Sequence, residues 1–421
     1  MMHFLVVFLL FLVPTHASGE APPSPLSLAW CLGRAAAENP AIAEEHALAE
    51  AASARAHYAG SFDDPRFRYE ASNIPTGDLD FSSTPLSGHQ LGLSQRIPFP
   101  GVLTNRRNAA EENARAAKHA HDDRVGRIAS AVESAWAELG FAQRALDITE
   151  RNIELLRQLV QVAEVKYRVG TGRQQDVLRA QVELTALLDE QLGRISAIER
   201  ASAELNGLLD LEPGSRFPIT ERLTDASPVP DLDALHASLE ERNPQLLSLQ
   251  AKVSEAERIV RTTELEGYPD FDFGLGYRIR ENVQGDAVDG DDFLSASVTL
   301  RLPIDRSKWS AKKAEKQALL RRSKAAYRRS RSSLFSSLRS AHAELTRADS
   351  EGALLETGLV PQARQSLESS RSAYTVGRIE FLSVLDSQVR LLNAELRLVR
   401  AQADRRQAYA ALEAAAGETL R

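Results

Sequence analysis

The reactive side chains that could do chemistry in this chain are few and scattered. There is one cysteine, Cys31, so neither an internal disulfide nor a paired-thiolate metal site can form. Leu28-Ala-Trp-Cys31 resembles a lipoprotein box. The bulky Trp30 before the cysteine and its distance from the N-terminal apolar run favour a small hydrophobe on a helix instead. Of the nine histidines, His119 and His121 lie two apart and cannot share a helix face. Both methionines stand at positions 1 and 2, so an exported chain that loses its leader keeps no thioether for soft metals. No Ser-His-Asp order and no glycine-rich phosphate loop is present. The expectation is a protein that is no enzyme and needs no cofactor.

Charge is more organised. Lys308 to Arg339 holds eleven Lys or Arg against one acid, Glu315. Aromatic residues are not interleaved as a nucleic-acid surface requires, and the net charge of -7 makes the whole chain no polyanion binder. No nucleic-acid partner is expected. The stretch reads as a cationic sector facing lumen water or lipid headgroups. Glu281 to Asp292 holds five acids without the ordered spacing of a calcium loop, and reads as a solvated loop.

These residues are set in a chain that contains itself twice. Tyr167-Arg-Val-Gly170 recurs as Tyr374-Thr-Val-Gly377, at an offset of 207. Asn39-Pro40 recurs as Asn243-Pro244, Gln95-Arg-Ile-Pro98 as Leu300-Arg-Leu-Pro303, and Ala135-Trp-Ala-Glu-Leu139 as Ala341-His-Ala-Glu-Leu345, at offsets of 204 to 206. A period this long is half a structure, well beyond the roughly 20–50 residues of a solenoid repeat. Residues 1–17, with an unbroken apolar run from Phe4 to Val13 and a small residue at Ala17, read as an export signal too short to span a membrane. The two repeats are expected over 18–210 and 232–421, joined by a connector at 211–231 that holds Pro213-Gly214 and runs from Pro218 to Pro230.

Each repeat has one plan. A first helix (Ser27 to Tyr58, interrupted at Pro40; Leu232 to Glu266) is followed by a β-hairpin (66–97; 270–302). A long helical stretch (Val102 to Val169; Ser310 to Val376) follows, bent in the second repeat near Gly352, Gly358 and Pro361. Turns at Gly170-Thr-Gly172 and at Gly377 lead into return helices. At 1.5 Å per residue the long stretches reach about 100 Å. Rods so narrow need lateral neighbours. In the second hairpin Phe271, Phe273, Leu275, Tyr277 and Ile279 alternate with Asp272, Gly274, Gly276 and Arg278. Val298 and Leu300 share the apolar face of the partner strand. Such alternation over about ten residues is the transmembrane β-barrel pattern, and it also fits an ordinary half-buried sheet. Four strands cannot close a barrel, for which about eight is the practical minimum.

On Asn39-Pro40, Asn243-Pro244, Gln95–Gly101 and the two tip motifs, taken in order and in duplicate, the chain resembles the TolC-like outer-membrane efflux family over essentially its whole mature length. Gln95–Gly101 and Tyr69–Gly77 are most similar to the heavy-metal-resistance branch. The resemblance implies a mainly α fold with a small β part. Four strands per chain enter the twelve-stranded barrel of a homotrimer in outer-membrane lipid, above a helical tunnel crossing the periplasm. It implies a passive conduit served by a periplasmic adaptor and an RND-type inner-membrane pump, with heavy-metal cations as cargo; type I protein secretion and multidrug efflux stay open. An exported coiled-coil scaffold without a pore is the rival of another class. The family places adaptor docking around Tyr167, Gly170, Gly172, Tyr374 and Gly377. It narrows the entrance with carboxylates six and nine residues after the second tip glycine, here Ser383 and Asp386; Asp176 holds position six of the first repeat. One acid is thus replaced, and Arg173 and Arg378 are the expected ion-pair partners if the acids only cover a solvated face.

Overall fold

The computed structural model describes residues 21–420 apart from 78, 83, 224–226 and 289. The export signal therefore lies outside the described residues. The two repeats fold alike. The first has helices α1 (Leu28–Glu38) and α2 (Pro40–Tyr58), strands β1 (Arg66–Ser72) and β2 (Gly88–Ile97), the long α3 (Val102–Arg168) and the return helix α4 (Gln174–Leu208). The second has α5 (Leu232–Arg242), α6 (Pro244–Leu265), β3 (Asp270–Ile279), β4 (Phe293–Arg301), α7 (Arg306–Leu354), α8 (Val360–Thr375) and α9 (Phe381–Ala416). In the half nearer the sheet α2 packs on α3, α3 on α6 and α6 on α7. In the other half α4 packs on α3, α3 on α9 and α9 on α8. The result is a layer one helix thick, and at 1.5 Å per residue the 67 residues of α3 span about 100 Å of it.

The opening helix of each repeat is two helices: the first breaks at the interruption expected at Pro40, and the second, expected unbroken, breaks at Pro244. The break falls at the Asn-Pro motif because proline cannot donate a backbone hydrogen bond but suits a first helical turn. Asn39 and Asn243 cap the following helix through Oδ1, accepting from Ala41 N at 2.9 Å and Leu246 N at 3.1 Å. Their Nδ2 atoms donate to the end of the return helix of the same repeat, Asn39 to Leu208 O at 2.8 Å and Asn243 to Ala415 O at 2.9 Å. Both asparagines are buried. Each motif is therefore a cap and a latch at once. Just beyond the latched carbonyls the chain turns left-handed at Asp210 (φ 49°) and Gly417 (φ 80°), equivalent positions of the two repeats.

The repeated Ala-X-Ala-Glu-Leu segments mark a second equivalence. Trp136 Nε1 donates to Leu26 O at 3.1 Å, and His342 Nε2 lies 3.0 Å from Pro230 O. Trp136 sits with Leu26, Cys31, Leu139, Leu205 and Leu223 in one buried cluster; Leu338, Leu345, Tyr409 and Leu412 form its counterpart. Gly140 lies where the connector crosses α3, and a Cβ there would meet Thr220 Oγ1 at 2.7 Å. The repeats differ in their long helices. Between α7 and α8 a π-helical turn, Leu355–Leu359, widens the backbone just before Pro361, where an α-helical turn would put the ring against a preceding carbonyl.

Asn243→Ala should destabilise the protein by about 1–3 kcal/mol, because it removes a cap and a buried donor together. Asn243→Ser, which keeps a capping oxygen, should fall between. The check is the thermal midpoint of the purified protein, and an unchanged midpoint in Asn243→Ala would mean the latch holds nothing.

Candidate functional site

The strands form a single antiparallel sheet in the order β1-β2-β3-β4. The register pairs Phe67 with Leu93, Leu93 with Leu275 and Leu275 with Ala296. One face accordingly carries Phe67, Tyr69, Leu91, Leu93, Phe271, Phe273, Leu275, Tyr277, Leu294, Val298 and Leu300. Of these, all but Leu91 and Phe271 are large hydrophobics left exposed. The other face carries Arg68, Glu70, Asp272, Gly274, Gly276, Ser295, Ser297 and Thr299. Gly274 and Gly276 lie opposite Ser297 and Ser295, whose hydroxyls would sit within 2.7 Å of an added Cβ. β1 and β4 each pair on one side only among the described residues. The sheet thus has an uncovered apolar face and two open edges. It meets the helices at Phe99, stacked on Tyr268 at 4.6 Å, and at Gly101 (φ 91°), which opens α3.

At the opposite end the two tip turns share one closing pattern of backbone hydrogen bonds. Gly170 and Gly377 have φ of 75° and 74°. The N–H of Thr171 donates to Lys166 O and that of Arg378 to Ala373 O, both at 2.9 Å. This is the Schellman closure, whose left-handed residue disfavours a side chain. Gly172 is needed for space, since a Cβ there would lie 2.9 Å from that of Lys166.

The side chains break the symmetry. Tyr167 is exposed, whereas Tyr374 is buried edge-on against Phe381. Burial, and secondarily the carboxylate of Asp176, raises the pKa of the Tyr374 hydroxyl. Expected on the docking surface, Tyr374 is instead a core residue of the tip, because its ring fills the space inside the second turn. Lys166 Nζ crosses from the first turn to donate to Tyr374 O at 3.0 Å, with its charge 4.6 Å from the Tyr374 ring centre. Arg173 pairs with Glu380 at 3.2 Å. The two tips of one chain are thus tied side by side. Lys166 was not singled out in the sequence; its signal is a cation in the last turn of a helix whose counterpart, Ala373, has none.

The carboxylates expected at the entrance are both reachable from water. Asp176 lies in the first turn of α4, half-buried. Asp386 accepts from Arg390 Nε at 2.8 Å, so its partner is neither Arg173 nor Arg378 but the residue one turn further on. Both members of this pair are more than half exposed, which makes it a loose surface pair worth roughly 0–1 kcal/mol. Ser383 and Arg378 are exposed.

The charge runs acquire partners that local sequence does not display. Lys313, Lys324 and Arg331 of α7 pair with Glu264, Glu257 and Glu240 of the preceding helices. Among the five loop acids, Asp286 forms a buried pair with Arg280. Asp292 accepts from Tyr277 at 2.5 Å and from the Arg280 N–H at 3.0 Å. Part of that loop is therefore folded on itself, not freely solvated. Cys31 is fully buried, and burial pushes its thiol up to about 12, which leaves it an unreactive hydrophobe. Among the described residues no group of three His, Cys, Asp or Glu is placed to hold a metal ion, and no helix is long and apolar enough to cross a membrane.

The sequence matches the family model of the outer membrane efflux proteins over residues 31–210 and 235–418. The chain belongs to that family. No curated protein matches the sequence. In fold it is similar to the outer-membrane channel OprN, with a TM-score of 0.79 at 17% identity over 93% of this chain and 90% of that one. It is similar to VceC of Vibrio cholerae, with a TM-score of 0.77 at 18% identity over 94% and 97%. CusC gives 0.78 at 15% identity over 93% and 92%. The four strands are then the part that sits in the outer membrane, and the helical layer is wall of the periplasmic tunnel.

Two substitutions test this assignment of the sheet faces. Leu275→Arg should reduce the amount of protein assembled in the outer membrane, since a charge facing lipid near the midplane costs about 2–4 kcal/mol. Ser297→Arg, on the opposite face, should assemble better. Ser297 is the fairer comparison than Gly276, where the Ser295 hydroxyl leaves no room. Equal assembly of the two variants would show that the sheet does not meet lipid, and the reverse order that the faces have been exchanged.

Proposed function

We propose that the protein is the outer-membrane conduit of a tripartite efflux system, working as a homotrimer in which the repeats 18–210 and 232–421 build equivalent sectors of one tube. The observation that carries this reading is the sheet: four strands, two open edges and one exposed apolar face. In hydrocarbon each unpaired backbone group costs several kcal/mol, so the edges must be paired by other copies. Three chains of four strands supply twelve, enough for a water-filled barrel, where one chain falls below the practical minimum of about eight. The conduit itself performs no chemical step. Its cargo moves through water, driven by an RND-type pump and delivered through a periplasmic adaptor.

The adaptor contacts the tips at Tyr167, Gly170, Gly172 and Gly377. Asp176 stands in the first turn of α4 and Asp386 in the second turn of α9, where three copies would ring the aperture with negative charge and favour cations. The similarity of Gln95–Gly101 to the heavy-metal branch favours metal cations as cargo.

The trimer should appear as three chains' mass in mild detergent, and a stable folded monomer would refute it. The entrance can be read electrically. Asp386→Asn should weaken cation preference in planar bilayers, measured as reversal potential in asymmetric salt at low ionic strength, where screening is least. Arg390→Gln, which frees Asp386, should strengthen it. If neither variant moves the reversal potential while trimers stay intact, these residues form only a solvated face and the narrowing lies elsewhere.

A further inference from the structure

Much of the cationic run of α7 remains to be explained after its pairs with α5 and α6. In the sheet-proximal half α2 and α7 are the outer helices of the layer, and they continue the open edges β1 and β4. On α2 the residues turned toward α3 include Ile42, Ala49, Ala52 and Ala56. The opposite side exposes Ala47, Ala51, Ala54 and Tyr58, with Glu50 beside them. On α7 the inward side includes Leu320, Tyr327 and Ser330, while the far side exposes Ala318, Arg322, Ala325 and Arg329. Each exposed set is spaced 4, 3 and 4 residues, the period of a helix pair wound around each other. The α2 set is flanked by the acid Glu50, at the edge of the groove between α2 and α3, and the α7 set includes two cations. Glu50 has a weak partner in the structure, His46 at 3.8 Å, and its side chain is 71% exposed.

Heights along the layer fix the register. Lys324 on α7 is tied to Glu257 on α6, and the nearby Glu255 to Asn113 on α3. On α2, Glu45 meets Arg124 of α3, and Gly60 abuts Leu103 and Arg107. Between those two contacts, the α2 residue level with Asn113 is close to Ala54. Rotation about an axis preserves height. In a cyclic trimer Ala54 of one copy must therefore lie level with Ala325 of the next. Because α2 runs toward the sheet and α7 away from it, the next turn brings Glu50 level with Arg329.

We propose that α2 of one copy seats on α7 of its neighbour along these alanines, with Glu50 paired to Arg329 across the seam. The surface takes a second copy of this chain, and the argument rests on the trimeric reading above. Alanine on both sides permits close approach, and the ion pair selects the antiparallel register.

The full-length protein carrying Ala54→Cys and Ala325→Cys should form covalent dimers and trimers under mild oxidation, reversed by reductant, while either single variant should not. Arg329→Glu should lower the temperature at which the detergent-resistant trimer dissociates by several degrees, and Glu50→Arg in the same chain should restore it. Trimeric protein that neither cross-links nor responds to the reversal overturns the seam and leaves the conduit standing. Cross-linking without rescue keeps the seam and overturns the ion pair. A folded monomer overturns the trimer, and the seam with it.

Discussion

A wall one helix thick, continued by a sheet with two free edges, cannot bury itself, and every other feature of this chain answers to that constraint. The sizes of the effects rank the answers. Unpaired N–H and C=O groups along β1 and β4 cost several kcal/mol each in hydrocarbon. Exposed ion pairs between helices contribute roughly 0–1 kcal/mol apiece. Closure of the sheet therefore supplies the drive to assemble, whereas charges and small side chains on the outer helices decide how neighbouring walls align. The same ranking explains why exposed charge is so common along the helices: each buries a narrow stripe against its neighbours and leaves the rest of its surface open.

The two repeats meet the constraint with the same joints built from different residues. Asn39 and Asn243 are identical in role. Trp136 and His342 reach equivalent carbonyls with an indole and an imidazole. Asp210 and Gly417 adopt the same left-handed turn. Toward the tips the repeats differ in the π turn before Pro361, in the buried Tyr374 against the exposed Tyr167, and in Lys166, which has no second copy; toward the sheet they differ in the cationic run of α7. A trimer of such chains has three-fold symmetry at its mouth, while its wall approaches six-fold.

Elements were legible in the sequence because they are set by local pattern. Alternation gave the strands and their faces; turn glycines gave the tips; the offset of 207 gave the duplication. Arg173 and Arg378 were expected for Asp386 and Arg390 is its partner, although pairs four residues apart on one helix are legible in principle. Partners on different elements were not. Lys324 with Glu257 and Lys166 with the Tyr374 carbonyl depend on how far one rod slides along another, which no single segment records. The split at Asn243 was hidden because the chain resumes helical spacing at once. A π turn adds one residue without interrupting the apolar rhythm enough to be seen, so Pro361 announced a bend but not its form.

The asparagine latches have a consequence for descent. Each joins the beginning and the end of its own repeat, Asn39 to Leu208 and Asn243 to Ala415, and neither reaches into the other. A gene segment encoding one repeat thus encodes its own closing joint. Duplication in tandem copied a finished part and needed only a linker, and six half-length chains could raise the same wall that three full-length ones do. With the halves in one chain the two hairpins of a pair need not be equal: one carries Lys166, and the other is preceded by the π turn.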